Sequence, residues 1–145
     1  MRGLSIMELM LVTLLVGVLV SIAVASYQSY RDRVREHQAA EEIAAMSAQI
    51  SRIQLERRDL PDTLAEAGFG GRLDPWGRPY VYYNVEANGR GGARKDRRLN
   101  PLNTDFDLYS LGKDGKSKPQ ISQKDSLDDI IRAGNGRFVG RAENY

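Results

Sequence analysis

Glu8 is the single ionisable side chain between Leu4 and Ala25, in a run that holds no Lys or Arg. A carboxylate deep in lipid costs about 3 kcal/mol, so an acid kept there reaches the headgroups, takes a proton, or has a charge to meet. A second set of groups is acidic: Asp114, then Asp125, Asp128 and Asp129, on either side of the loop KSKPQISQ. Loop carboxylates joined by backbone carbonyls are the ligands calcium takes. The spacing is not that of an EF-hand, since no alternating acids lead through a glycine to a glutamate. The residues by themselves favour a plainer role, with Asp114 turning the chain at Gly115 and Asp125 or Ser126 capping a helical turn. The third set is basic: Arg90, Arg94, Lys95, Arg97 and Arg98 in the glycine-containing stretch 88–103. No aromatic side chain is interleaved there for base stacking, so nucleic acid is not expected as a partner. Contact with an acidic surface of a neighbouring subunit is the expected use. No catalytic set stands out: His37, the one histidine, falls on a charged helix face, and no cysteine is present. An enzyme is not expected.

Positioning these groups falls first to helix. At about 1.5 Å per residue, Leu4 to Ala25 spans roughly 33 Å, enough for a hydrocarbon core of about 30 Å. The run is too long for a secretory h-region. It reads as a membrane anchor. Arg2 before it sets the N-terminus on the cytoplasmic side and the remainder across the membrane. Between Ser26 and Arg58 there is neither Pro nor Gly, so the helix is expected to continue. Ala39, Ile43, Met46, Ile50 and Ile53 recur at helical spacing, a stripe to be covered by a sheet. Arg31, Arg35, Glu42, Arg52 and Glu56 occupy the other face.

The helix should stop near Asp59-Leu60-Pro61, because the residue before a proline is pushed out of helical geometry. Asp62 to Ala67 reads as a short capped helix, and Asp74 to Tyr80 as a turn with Trp76 over apolar surface. Val81, Tyr82, Tyr83 and Val85 read as one strand. A second covers Asp105 to Leu111, with Phe106, Leu108 and Ser110 on one face. A polar turn follows at 112–117, then a loop to Asp129, a helical turn over Ile130 to Ala133, and a last short strand of Phe138, Val139 and Ala142. The fold class is α+β: one long helix against a small antiparallel sheet, with residues 59–145 as the head. The head can build only a small core, and without a disulfide it must hold its loops by packing or by a metal. The net charge of +2, or +1 without Arg2, is too slight to imply an anionic partner for the whole molecule.

Three segments resemble known ones. GLSIMEL before a long apolar helix resembles the type IV prepilin signal, with Leu4 where Phe is commoner. DPWGRPY (Asp74–Tyr80) and FDLYSLGKDGK (Phe106–Lys116) resemble segments of the major pseudopilins of type II secretion systems. The resemblance implies cleavage by a prepilin peptidase after Gly3, methylation of the Leu4 amine, and pairing of Glu8 with the N-terminal amine of a neighbouring subunit. It implies a structural calcium held by the Leu111 carbonyl and the Asp114 carboxylate. The later ligands would be Asp125, with Asp128 as substitute, and a carbonyl near Ile130. Here the intervening loop is longer and more basic than the family's. Gly17 stands at the family's mid-anchor glycine, while Ala25 replaces the proline that, with it, brackets a segment able to unwind.

The implied function is that of a subunit in a periplasmic filament driving export of folded proteins. Its implied partners are further copies of itself, minor pseudopilins, an inner-membrane assembly platform and the peptidase. Two other readings stay open: a type IV pilus subunit in adhesion, motility or DNA uptake, and a monomeric membrane-tethered calcium-binding module.

Overall fold

The structure, a computed structural model, describes residues 5–145. One helix, α1 (Ile6–Arg57), runs without a break past Gly17 and Ala25. Its continuity follows from composition, because Gly17 is its one interior glycine and it has no proline. The chain divides into two compact units, one up to Val34 and one from Arg35 to Tyr145. In the first unit the apolar side chains point outward all around the helix: Ile6, Leu14 and Ile22 are each more than half exposed. This is the described helix that is long and apolar enough to cross a membrane.

In the second unit the expected stripe is the core. Ala39, Ile43, Met46, Ile50 and Ile53 are buried, and they pack with Leu60, Tyr80, Phe106, Leu108 and Ile130. The helix closes at Arg58, which takes a left-handed φ of 57° just past the last helical residue. The four-stranded sheet is an antiparallel meander of β1 (Val81–Asn84), β2 (Phe106–Ser110), β3 (Ile130–Ala133) and β4 (Phe138–Arg141). Tyr82 faces Leu108, Tyr109 faces Ile131, and Arg132 faces Val139 in its registers. Successive residues of a strand point to opposite faces. Thus Ile130 joins the helix-side core, while Ile131 and Ala133 join a second cluster with Leu102, Ile121 and Ala142.

Four local expectations differ from this. Residues Asp62 to Ala67 make turns, with Phe69 N–H donating to the Leu64 carbonyl at 2.8 Å, and not a helix. Val85 leaves the strand and opens the single helical turn α2 (Val85–Asn88), because the Asn84 side chain caps it by accepting from Ala87 N–H. Ile130 to Ala133 is β3 and not a helical turn, since both its faces are covered. Ala142 lies beyond β4, in a 3-10 turn.

Candidate functional site

The first candidate is the N-terminal turn of α1. Gly3 and Leu4, the expected processing residues, lie outside the described residues. Glu8 sits in the first turn of the helix, where its Oε2 accepts the Ser5 N–H at 3.0 Å. Ser5 Oγ in turn accepts the Met7 N–H at 3.3 Å. This reciprocal arrangement is a capping box, written in the spacing Ser-x-x-Glu, and it satisfies donors that a helix start leaves without partners. A negative charge there also meets the positive end of the helix dipole. The acid is therefore held at the start of an exposed apolar helix. Farther along, Ser21 Oγ donates to the Gly17 carbonyl at 2.9 Å, one turn back in the same helix.

The second candidate joins the two head motifs, and its centre is Asp74, which is buried. Its Oδ1 accepts the backbone N–H groups of Trp76 and Arg78 at 3.0 and 2.8 Å. Its Oδ2 accepts the Ser110 hydroxyl at 2.6 Å, and Ser110 Oγ accepts the Gly112 N–H at 3.1 Å. Arg78 completes the joint, with Nη1 donating to the Gly112 carbonyl at 2.6 Å and Nη2 to the Lys113 carbonyl at 3.3 Å. DPWGRPY and the end of FDLYSLGKDGK are therefore two halves of one hydrogen-bonded unit. Tyr80 and Tyr82 tie that unit onward. The Tyr80 hydroxyl donates to Glu42 on α1 and that of Tyr82 to the Pro61 carbonyl, each at 2.7 Å. Burial, reinforced at Tyr80 by Glu42, pushes both phenols well above the ordinary tyrosine range.

The acidic clusters meet in part. Asp128 Oδ2 accepts the Asp114 N–H at 2.9 Å, and Asp114 Oδ1 accepts the Lys116 N–H at 2.7 Å. Gly112 permits the approach: with φ at +63°, a Cβ there would overlap the Asp128 carbonyl. Leu111 lies just past the end of β2, before this turn, and Asp125 lies in the 3-10 turn Lys124–Ser126. Among the described residues, no group of three or more His, Cys, Asp or Glu side chains gathers closely enough to hold a metal ion. Calcium takes six to eight oxygens, and Asp114 and Asp128 each give one carboxylate oxygen to a backbone N–H, so as arranged these three side chains do not form its site.

The basic stretch is not uniformly solvated. Arg94 is buried, and its Nη2 bonds Asp129 Oδ2 at 2.7 Å. Its guanidinium lies 4.2 Å from the centroid of the Tyr109 ring. Ser117 Oγ donates to the same Asp129 oxygen at 2.6 Å and accepts from Arg94 Nη1. Burial pushes the Asp129 carboxyl up to about 6 against the pull of Arg94. Lys95 pairs with Pro101 and Gln120 through isolated bridges, which anchors the rest of the stretch.

Sequence reasoning missed Asp74, Arg78, Arg94, Ser117, Asp129 and Arg132 as a polar framework. One signal was available: Asp followed by Pro and Gly is an Asx-type turn whose carboxylate seeks backbone N–H groups.

No protein-family model matches the chain, and no solved structure matches it. Curated relatives do, and they bear the name type II secretion system core protein G. That of Xanthomonas campestris pv. campestris is 29% identical over 119 residues, covering 79% of this chain and 80% of its own. The Escherichia coli K12 protein is 28% identical over 136 residues, covering 79% and 83%. The Pseudomonas aeruginosa protein is 28% identical over 135 residues, covering 79% and 84%. With an apolar N-terminal helix that fits a membrane anchor, the paired head motifs and the α+β fold in agreement, the chain is similar to the core G proteins, the major pseudopilins, of type II secretion systems.

Proposed function

We propose that this chain is the structural subunit of a type II secretion pseudopilus, a filament that polymerises through α1 to drive export of folded proteins across the outer membrane. The observation that carries the reading is a helix whose first unit exposes apolar side chains on every face yet holds one acid in its first turn. Such a surface needs lipid before assembly and neighbouring helices after it, and the same residues serve both. The apolar segment anchors the chain in the inner membrane with its N-terminus cytoplasmic and its head periplasmic. A prepilin peptidase cuts after Gly3, and the freed Leu4 amine is methylated. Glu8 of one subunit then meets the amine of another, so that neither charge is buried alone. Minor pseudopilins and an inner-membrane platform complete the assembly. Its work is mechanical, and no catalysis is assigned to it.

Deleting the gene tests the reading: exoproteins should accumulate in the periplasm while surface pili stay normal. Loss of surface fibres with normal secretion would instead make the chain a pilus subunit. Mass spectrometry of the mature protein should find Leu4 at the N-terminus, methylated. Any other terminus removes the processing step.

A further inference from the structure

The 112–129 loop carries four Lys (113, 116, 118, 124) and four Asp (114, 125, 128, 129), so it is neutral by itself. Two buried or half-buried arginines from outside it reach in. Arg78 grips the first turn through the carbonyls of Gly112 and Lys113. Its side chain fills the space beside Gly115, where φ is +69° and a Cβ would come within 2.5 Å of the Arg78 Cζ. Arg94 grips the loop farther on, through Ser117 and Asp129. Between these grips Ser126 crosses the loop, accepting the Lys118 N–H at 2.7 Å and donating to the Lys118 carbonyl at 3.1 Å.

We propose that two guanidinium groups, those of Arg78 and Arg94, hold this loop in place of a bound divalent cation. A cation that organises a loop does two things: it draws carbonyl and carboxylate oxygens together, and it neutralises the acids. Arg78 does the first for Gly112 and Lys113, and Arg94 does the second for Asp129. A guanidinium suits both tasks because its planar fork donates in two directions at a fixed angle and stays charged. Four lysines and the two arginines stand against the loop's four acids and the buried Asp74 and Asp107, so no net negative charge is left over to draw a dication. Two acids that could have served a cation accept backbone donors instead, Asp114 from Lys116 and Asp128 from Asp114. The buried atoms Arg94 Nε and Asp129 Oδ1 have no hydrogen-bond partner. They belong to the two members of one ion pair, in which the guanidinium already neutralises the carboxylate. The inference concerns how the head is held, and it does not depend on the secretion role.

Full-length protein in detergent, with Trp76 as its one tryptophan reporter, provides the test. Equilibrium dialysis with radiolabelled calcium at up to about millimolar concentration should find none bound above background. The thermal midpoint should be the same in calcium and in chelator. Trypsin should leave Lys113 and Lys116 uncut in chelator, and Arg78→Ala should open both. Arg78→Lys keeps the charge but not the fork, and should give the same cutting pattern if the alanine variant does not fold. One calcium bound per chain, a midpoint raised by calcium, or cutting of the unaltered protein when chelator is added would each overturn the proposal. So would an unchanged tryptic pattern in both Arg78 variants.

Discussion

Glu8 answers two demands that one substitution can separate. Its carboxylate completes the capping box with Ser5, an interaction worth about 1 kcal/mol to a helix start. In the proposed filament the same carboxylate would supply the negative charge that a neighbouring amine requires. Glu8→Gln keeps an acceptor for the Ser5 N–H and discards the charge, whereas Glu8→Ala discards both. We expect both variants to insert in the membrane yet yield no cross-linkable filament. Only the alanine variant should show faster amide exchange in the first turn of α1. Filaments from Glu8→Gln at normal yield would assign Glu8 to capping and remove charge pairing from the assembly step. The acid was legible as an anomaly, because a lone charge in an apolar run has few uses. Its capping partner Ser5 was missed, although the Ser-x-x-Glu spacing carries that signal.

At the scale of elements, the sheet depends on an arginine in a strand centre. Arg132 of β3 is buried, and it donates to Ser47 Oγ on α1 at 2.8 Å, to the Phe106 carbonyl at 2.8 Å, and to both Asp105 oxygens at 2.8 and 2.7 Å. Its guanidinium also lies 3.9 Å from the centroid of the Phe106 ring. Removing one partner of a buried pair costs about 3–5 kcal/mol, because the other charge is left uncompensated. Arg132→Met should therefore lower the unfolding free energy by about that much in urea titrations followed by Trp76 fluorescence. Arg132→Lys should recover only part of it, having no planar fork for Asp105. A loss under about 1 kcal/mol for Arg132→Met would mean the pair only fills space. This residue also explains why β3 could not be read from sequence. Ile130-Ile131-Arg132-Ala133 has no alternation, since both faces are buried and Arg132 satisfies its face through Asp105, far away in the chain. The α1 stripe was readable because Ala39 to Ile53 repeats at helical spacing, and β2 because Phe106, Leu108 and Ser110 alternate. Arg78 and Arg94 looked like ordinary surface cations, for their carbonyl and carboxylate partners are brought near only by the folded sheet.

At the scale of the whole molecule, a small head without disulfides is held by an apolar core and, beside it, by buried acids. Two of those acids set how its stability follows pH. Burial pushes Asp107 above the usual carboxylate range, even though Asn103 Nδ2 and the Arg94 N–H donate to it at 2.8 and 2.6 Å. Burial likewise raises Asp129 to about 6. A carboxyl whose pKa is higher folded than unfolded binds its proton more tightly in the folded state. Its contribution to stability is then greatest at low pH, declines as pH rises from the unfolded value near 3.9 through the folded one, and is constant above. For Asp129 that window runs from about 4 to about 6. Acidifying from neutral pH to about 5 should therefore raise the urea midpoint reported by Trp76, where paired surface carboxylates by themselves would lower it. Asp129→Asn removes the group that titrates in that window without changing side-chain size. The rise on acidification should be smaller in that variant, and its midpoint should approach that of the unaltered chain as the pH falls. A midpoint that drops on acidification in the unaltered chain, or a rise equal in both chains, would show that the buried acids do not govern the head's response.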